Sequence, residues 1–404
     1  MMLKKFPPMG VYETLFRFAD ATGLYLGDAE THPWAQGFPL TRQIPGGPPI
    51  PDSISFTSED MRYPNATGHI ELRRALVRYY QTFYGAQLTE DNIAIFAGGR
   101  PGILAILSLL IDDVRVTIEE TEYTPYYDTL KLLHRTPTIV PSHPDNDFRP
   151  TLADHEAALG TYERALLVKS NPCNPTGVTW AGPKLRELVE VCSKPGKGAL
   201  FDEAYEFFHA PEPDSVLRYI DDIDRTDLFV VGAATKGLQV PGARVGWVVV
   251  SKAHVELFRN FSSIAMGGVS RPSQLLVTEL LEIERVRQAR SAIATFFASQ
   301  RDRYGAALRD LGFDLRSGDG GFYHWGRLPH GETADAFNER LFPENAAILP
   351  GRLCDMHRRA PGAGPHHEYM RFSFGPVAPE EFENDVAILT RVLASQRAGN
   401  RVSS

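Results

Sequence analysis

Between residues 93 and 250 the chain alternates short apolar runs with stretches of helical periodicity. The runs lie at 93–97, 115–119, 138–140, 165–168, 199–201, 228–231 and 247–250. Runs of β-formers that are apolar on both faces and separated by helices predict a buried, mostly parallel, seven-stranded sheet flanked by helices, an α/β fold. Upstream, Leu72, Ala75, Leu76, Tyr79 and Tyr80 fall on one side of a helix over 70–83. Downstream, 271–311 has few breakers, which predicts one or two long helices (274–284 and 289–309) leaving the sheet. Strands at 320–325, 346–349 and 369–374 and a last helix over 379–396 then form a smaller α+β domain. The first forty residues hold an amphipathic stretch at 11–18, and the Pro/Gly-rich segment 42–52 cannot be helical and reads as an arm or linker. The expected division is 1–42 as N-terminal arm and part of the small domain, 43–285 as the large domain, and 286–404 as the C-terminal small domain.

Composition narrows the class. The 404 residues are 43% apolar and 23% charged, with a net charge of −8, which is ordinary for a globular protein able to bury a large core. The balance is not basic, so a nucleic-acid partner is not expected. No run approaches the roughly 18 apolar residues of a membrane span, and residues 1–10 lack the apolar centre of a signal peptide. Cys173, Cys192 and Cys354 are odd in number and widely spaced, which suits a reducing cytoplasm and neither a disulfide framework nor a zinc site. His357, His366 and His367 lie in a Pro/Gly-rich stretch, 357–367, that reads as a mobile, solvated loop rather than a metal site.

Ligands of such sheets sit at the carboxyl ends of the strands, and three motifs fall there. Lys236 lies between two apolar runs, and a lysine against apolar walls has a lowered amine pKa and becomes a nucleophile. Arg244, eight residues on, suits a guanidinium folded onto a dianionic phosphate. The plainer reading is a structural Lys and Arg on a loop. Asp202 ends a buried run, placed to keep a pyridine nitrogen protonated or merely to cap a helix, with Tyr205 three residues later as a donor. The doubled Asn–Pro of Asn171–Pro172–Cys173–Asn174–Pro175 fixes an asparagine amide over a strand end, unless it is a plain turn. Arg371, inside an apolar strand, needs a carboxylate partner, supplied by substrate or by a structural ion pair.

Together, and in this chain order, these motifs resemble the fold-type-I pyridoxal-phosphate (PLP) enzymes of the class I/II aminotransferase (aspartate aminotransferase) superfamily, over nearly the whole chain. The resemblance implies that PLP forms a Schiff base with Lys236, that Asp202 pairs with the pyridinium, and that Tyr205 and Asn174 donate to the ring 3-oxygen. It implies that Arg244 holds the phosphate, that Tyr123 stacks on the ring, and that Arg371 grips the substrate α-carboxylate. Tyr63 matches a tyrosine that reaches the neighbouring subunit's phosphate, which implies a homodimer with shared sites. The phosphate cup departs from relatives, because Ala97, Gly99 and Ala233 stand where hydroxyl residues are usual. There the Gly98–Gly99–Arg100 backbone at a helix N-terminus, with Arg100 or Thr235, is expected to compensate. Gly27 and His32 fall where relatives line the substrate entrance, with Asp28 and Glu30 either an acidic rim or a solvated loop and His32 a second acid or base near neutrality.

The implied function is an aminotransferase acting on an amino acid and a 2-oxo acid. The alternative is a specialised PLP enzyme working at the substrate β- or γ-carbon, such as a cyclase, an elimination or replacement enzyme, or an amino-acid oxidase of natural-product biosynthesis.

Overall fold

All seven apolar runs become strands of one sheet. In the computed structural model, which describes residue 2 and residues 8–402 (side chains of the last helix to residue 394), they are β1 (Ile93–Phe96), β2 (Arg115–Glu119), β3 (Thr138–Val140), β4 (Ala165–Ser170), β5 (Lys197–Asp202), β6 (Asp227–Ala233) and β7 (Gly246–Val249). Their spatial order is β1-β7-β6-β5-β4-β2-β3. The pairs from β3 through β6 are parallel, whereas β7 is antiparallel to both β6 and β1. The link from β6 to β7 holds a single 3-10 turn, Pro241–Ala243, and no crossover helix, so the chain can only turn back on itself. Along β4 the side chains alternate between layers: Ala165 and Leu167 join one core, Leu166 and Val168 the other.

Helix ends follow local chemistry. Helix Ile70–Tyr84 stops at Gly85 with φ 68, the left-handed cap glycine permits. The long downstream stretch divides into Arg271–Leu280 and Ile283–Asp310, the second capped by Glu282, whose carboxylate accepts the Glu284 and Arg285 N–H groups at 3.2 and 2.8 Å. Helix Gly99–Leu109 starts immediately after Gly98, which turns the chain directly out of β1.

The smaller sheet holds β8 (Asp314–Leu315), β9 (Tyr323–Arg327), β10 (Leu349–Pro350) and β11 (Tyr369–Ser373) in the order β10-β11-β9-β8, all antiparallel. Strand β8 was not expected; two residues are too few to leave a periodic signal. The chain's beginning joins this sheet. Phe18, on helix Tyr12–Thr22, packs edge-on against Phe342, and the Ser373 N–H donates to the Trp34 carbonyl at 2.8 Å.

The 357–367 segment corrects one expectation. His357 is exposed, but His366 is buried, inside the short helix Pro365–Glu368. Its Nε2 lies 2.6 Å from Thr121 Oγ1, whose hydrogen goes to the Ser142 carbonyl. Nε2 is therefore the donor. Burial holds the imidazole well below its ordinary pKa.

Candidate active site

The ends of β4, β5 and β6 and the N-terminus of helix Gly99–Leu109 converge on a cavity of about 400 Å³. A second cavity, about 140 Å³, opens beside it toward the small sheet. The two share Arg100, Tyr123, Asn174, Tyr205 and Lys236.

Lys236 stands where they meet. It follows β6, and its Nζ donates to the Gly37 carbonyl, with the amine 5.7 Å from the Tyr205 ring and 5.9 Å from the Phe322 ring. Burial lowers the amine to about 7, and the nearby Arg100 and Arg371 guanidinium groups push in the same direction. A charged amine loses hydration here that Asp202 only partly replaces. The depressed value means the nucleophilic, neutral form dominates above about pH 7. The rate at which the cofactor-free protein couples an aromatic aldehyde is therefore expected to rise with pH to a midpoint near 7. Stopped-flow absorbance reads it; a midpoint near the ordinary lysine value would contradict the buried amine.

Asp202 closes β5. Its carboxylate accepts the Tyr126 hydroxyl at 2.9 Å and the Ala204 N–H at 3.1 Å, and burial raises its pKa while those two bonds oppose the rise. The sequence reading did not single out Tyr126. Its signal is the spacing from Tyr123 across the first turn of helix Thr124–Leu132, which turns the later ring inward.

Tyr205 and Asn174 lie side by side. Asn174 Nδ2 is 3.4 Å from the Tyr205 hydroxyl and 3.5 Å from that of Tyr323, and the two phenols hydrogen-bond each other. Tyr323, on β9, is a second site residue absent from the sequence reading. Its ring also underlies the Arg371 guanidinium, centroid to Cζ 4.3 Å.

Arg371 is buried in β11. Nη1 donates to Asn174 Oδ1 at 2.8 Å and Nη2 to the Ala35 carbonyl at 2.6 Å, while Nε has no partner. Among the described residues no carboxylate lies within ion-pair distance of it. The structural ion pair left open by the sequence is absent there.

The Gly98–Gly99–Arg100 turn and Arg244 form the far wall. Gly98 has φ 99, and a Cβ on it would stand 2.5 Å from Arg244 Nη2. A Cβ on Gly246 would stand 2.4 Å from the Gly98 carbonyl carbon. Both glycines are needed for this approach. The first turn of helix Gly99–Leu109 has no side-chain cap, leaving its N–H groups to an anion. Thr235 lines the same cavity, Arg100 lines both, and Arg100 Nε donates to the Tyr123 hydroxyl at 2.8 Å.

Two expected residues are not brought here. His32 Nδ1 bonds Asp385 Oδ1 at 2.6 Å, which ties its ring to the last helix and away from the cavities. Gly27 sits at φ 114 in an exposed turn behind Phe38, and Asp28 and Glu30 are exposed beside it. Gly37 lines the second cavity, and a Cβ on it would meet the Tyr323 hydroxyl at 2.5 Å. Tyr63, expected at the neighbouring subunit's phosphate, is 96% exposed and lines neither cavity of its own chain.

Comparisons with known proteins agree on the family. A family model described as aminotransferase class I and II matches residues 34–387. An aspartate aminotransferase of Pyrococcus horikoshii is 24% identical over 298 residues, 71% of this chain and 74% of that protein. An LL-diaminopimelate aminotransferase of Natranaerobius thermophilus is 25% identical over 302 residues, 73% and 77% of the respective chains. Among solved structures, Thermus thermophilus aspartate aminotransferase with maleate superposes with a TM-score of 0.75 at 18% identity, covering 96% of this chain and 100% of that one, which shows a shared fold. With the match spanning most of its length, the chain belongs to the class I and II aminotransferase family, whose members are enzymes that use pyridoxal 5'-phosphate.

Proposed function

We propose that this protein transfers the α-amino group of an amino acid to a 2-oxo acid, with Lys236 as both the attachment point of pyridoxal phosphate and the base. The observation that carries the reading is the meeting of the two cavities at Lys236, one walled by Arg244 and Asp202, the other by Arg371. The residues present fit the cofactor. A buried amine with its pKa lowered to about 7 stands where the two cavities meet, a carboxylate ends the strand below, and the cradle at Gly98 would be filled by any Cβ. When bound, pyridoxal phosphate supplies an electron sink that acidifies the substrate α-C–H.

The chain's own residues supply the rest. Arg244 and the N–H groups of Gly99 and Arg100 hold the phosphate, and Asp202, oriented by Tyr126, keeps the ring nitrogen protonated. Tyr205 and Asn174 donate to the ring oxygen and Tyr123 covers the ring face. Arg371 forks the α-carboxylate. Lys236 Nζ would hold the cofactor and, as the amine at the junction of the two cavities, would serve as the base for the substrate α-proton. Arg100, a second cation without a carboxylate partner among the described residues, favours co-substrates with a second carboxylate, such as 2-oxoglutarate. The test is a half-reaction: adding single amino acids to the holoenzyme should convert its visible absorbance to that of the amine form, and 2-oxoglutarate should reverse it. No conversion with any common amino acid would end this reading.

The same proposal includes a homodimer in the cytoplasm. Met61 and Tyr63 are apolar side chains more than half exposed that line one surface depression together, and contiguous exposed apolar surface supports an interface there. Light scattering should give twice the chain mass; a monomer at micromolar concentration would count against it. The three cysteines are free thiols, and among the described residues no helix is long and apolar enough to cross a membrane.

A further inference from the structure

Glu122 is a fully buried carboxylate that none of the roles above uses. It follows β2 and immediately precedes Tyr123. Oε2 accepts the Tyr123 N–H at 2.8 Å and the Ser170 hydroxyl at 2.7 Å, and Oε1 accepts the Ser170 N–H at 2.9 Å. No cation lies within ion-pair distance of it among the described residues, because the neighbouring Lys169 amine is taken by Glu119. Burial pushes its pKa up. A buried carboxylate without a salt bridge is costly, and only its hydrogen bonds offset the cost.

Those bonds go to two places that matter. Tyr123 covers the expected ring face. Ser170, the last residue of β4, lines the cofactor cavity, and its Oγ accepts the Asn174 N–H at 3.0 Å while donating to Glu122. Asn174 in turn accepts from Arg371 Nη1. The path Glu122, Ser170, Asn174, Arg371 is therefore a continuous set of hydrogen bonds from the floor of the site to the substrate carboxylate position.

We propose that Glu122 is a positioning residue of the active site: its one carboxylate fixes the spacing between the Tyr123 segment and the Ser170–Asn174 segment, so that the aromatic face, the amide and Arg371 meet the same bound molecule. This rests on the pyridoxal-phosphate reading above. The donor pattern makes the role specific to a group that accepts on both oxygens. A glutamine of the same shape places an NH2 against at least one of three N–H or O–H donors, and a bond is lost.

The test compares wild-type, E122Q and S170A proteins loaded with pyridoxal phosphate. Visible circular dichroism of the bound cofactor, cofactor affinity by titration of the stripped protein, and KM and kcat are read for each, with melting temperature as the control for folding. E122Q is expected to change the visible dichroism and to lose about ten-fold in cofactor affinity and in kcat/KM, the scale of one buried donor left without its acceptor. S170A is expected to act chiefly on KM, through Asn174 and Arg371. The double variant should be little worse than E122Q alone, because both changes interrupt one path. A folded E122Q with wild-type dichroism and affinity overturns the proposal. If E122Q does not fold, S170A decides: unchanged dichroism and KM overturn it. Wild-type protein that takes up no cofactor at all brings down the functional reading, and Glu122's role with it, and the wild-type control alone reveals that case.

Discussion

Lys236→Ala is expected to abolish both the visible absorbance of the loaded protein and its turnover. The amine does two jobs from one place. Among the described residues it is the only lysine lining either cavity, and the guanidinium groups of the neighbouring Arg100 and Arg371 are donors with no acceptor site. Loss of the base alone is worth about 10²–10⁴-fold in rate, and loss of the covalent anchor removes the chromophore. The variant should still bind the cofactor, because the Gly98 cradle and Arg244 are untouched. Absorbance after gel filtration, phosphate analysis of the bound fraction and a sensitive coupled assay check the three statements together. A yellow, active variant would falsify the assignment of Lys236.

Arg371→Ala is expected to raise KM for the amino acid far more than it lowers kcat. The guanidinium is held before substrate arrives, by Asn174, by the Ala35 carbonyl and by the face of Tyr323. A preset fork loses little freedom on binding, so its charge-assisted bonds go into affinity. Removing it leaves a substrate carboxylate in a buried site without its partner, a loss of about 2–5 kcal/mol. Arg371→Lys should recover only part of it, because a point charge does not make two parallel bonds. Steady-state kinetics with one good amino-acid donor distinguishes the cases, and an unchanged KM takes Arg371 out of the site.

The readable part of this molecule was whatever announces itself within a few residues. Seven buried runs gave seven strands, and Lys236, Asp202, Asn174 and Arg244 stand at strand ends where ligands of such sheets gather. The direction of β7 was not readable, since a strand buried on both faces looks the same in either sense. Contacts set by distant segments were equally silent. His32 looked poised for chemistry in an acidic loop, but its partner Asp385 lies 353 residues away. His366 looked solvated in a run of Pro and Gly, yet it closes on Thr121. Tyr323 and Glu122 were invisible for the same reason, as their local patterns are those of any strand residue and any loop acid. Gly27 lies in an exposed turn whereas Gly37 lines the second cavity; both sit in turn-forming stretches, and only the approach of the Tyr323 hydroxyl separates them.

The reversed strand has a consequence for how the protein can be altered. Because β7 runs back beside β6, Lys236 and Arg244 belong to one tether pinned at both ends, from Ala233 to Gly246. Lengthening that tether would displace covalent anchor and phosphate clamp together, so neither can drift while the other is conserved. The tether is itself tied to the 42–52 arm, because Gln239 Nε2 donates to the Leu40 and Arg42 carbonyls at 2.7 and 3.0 Å, so a change in either segment reaches the other.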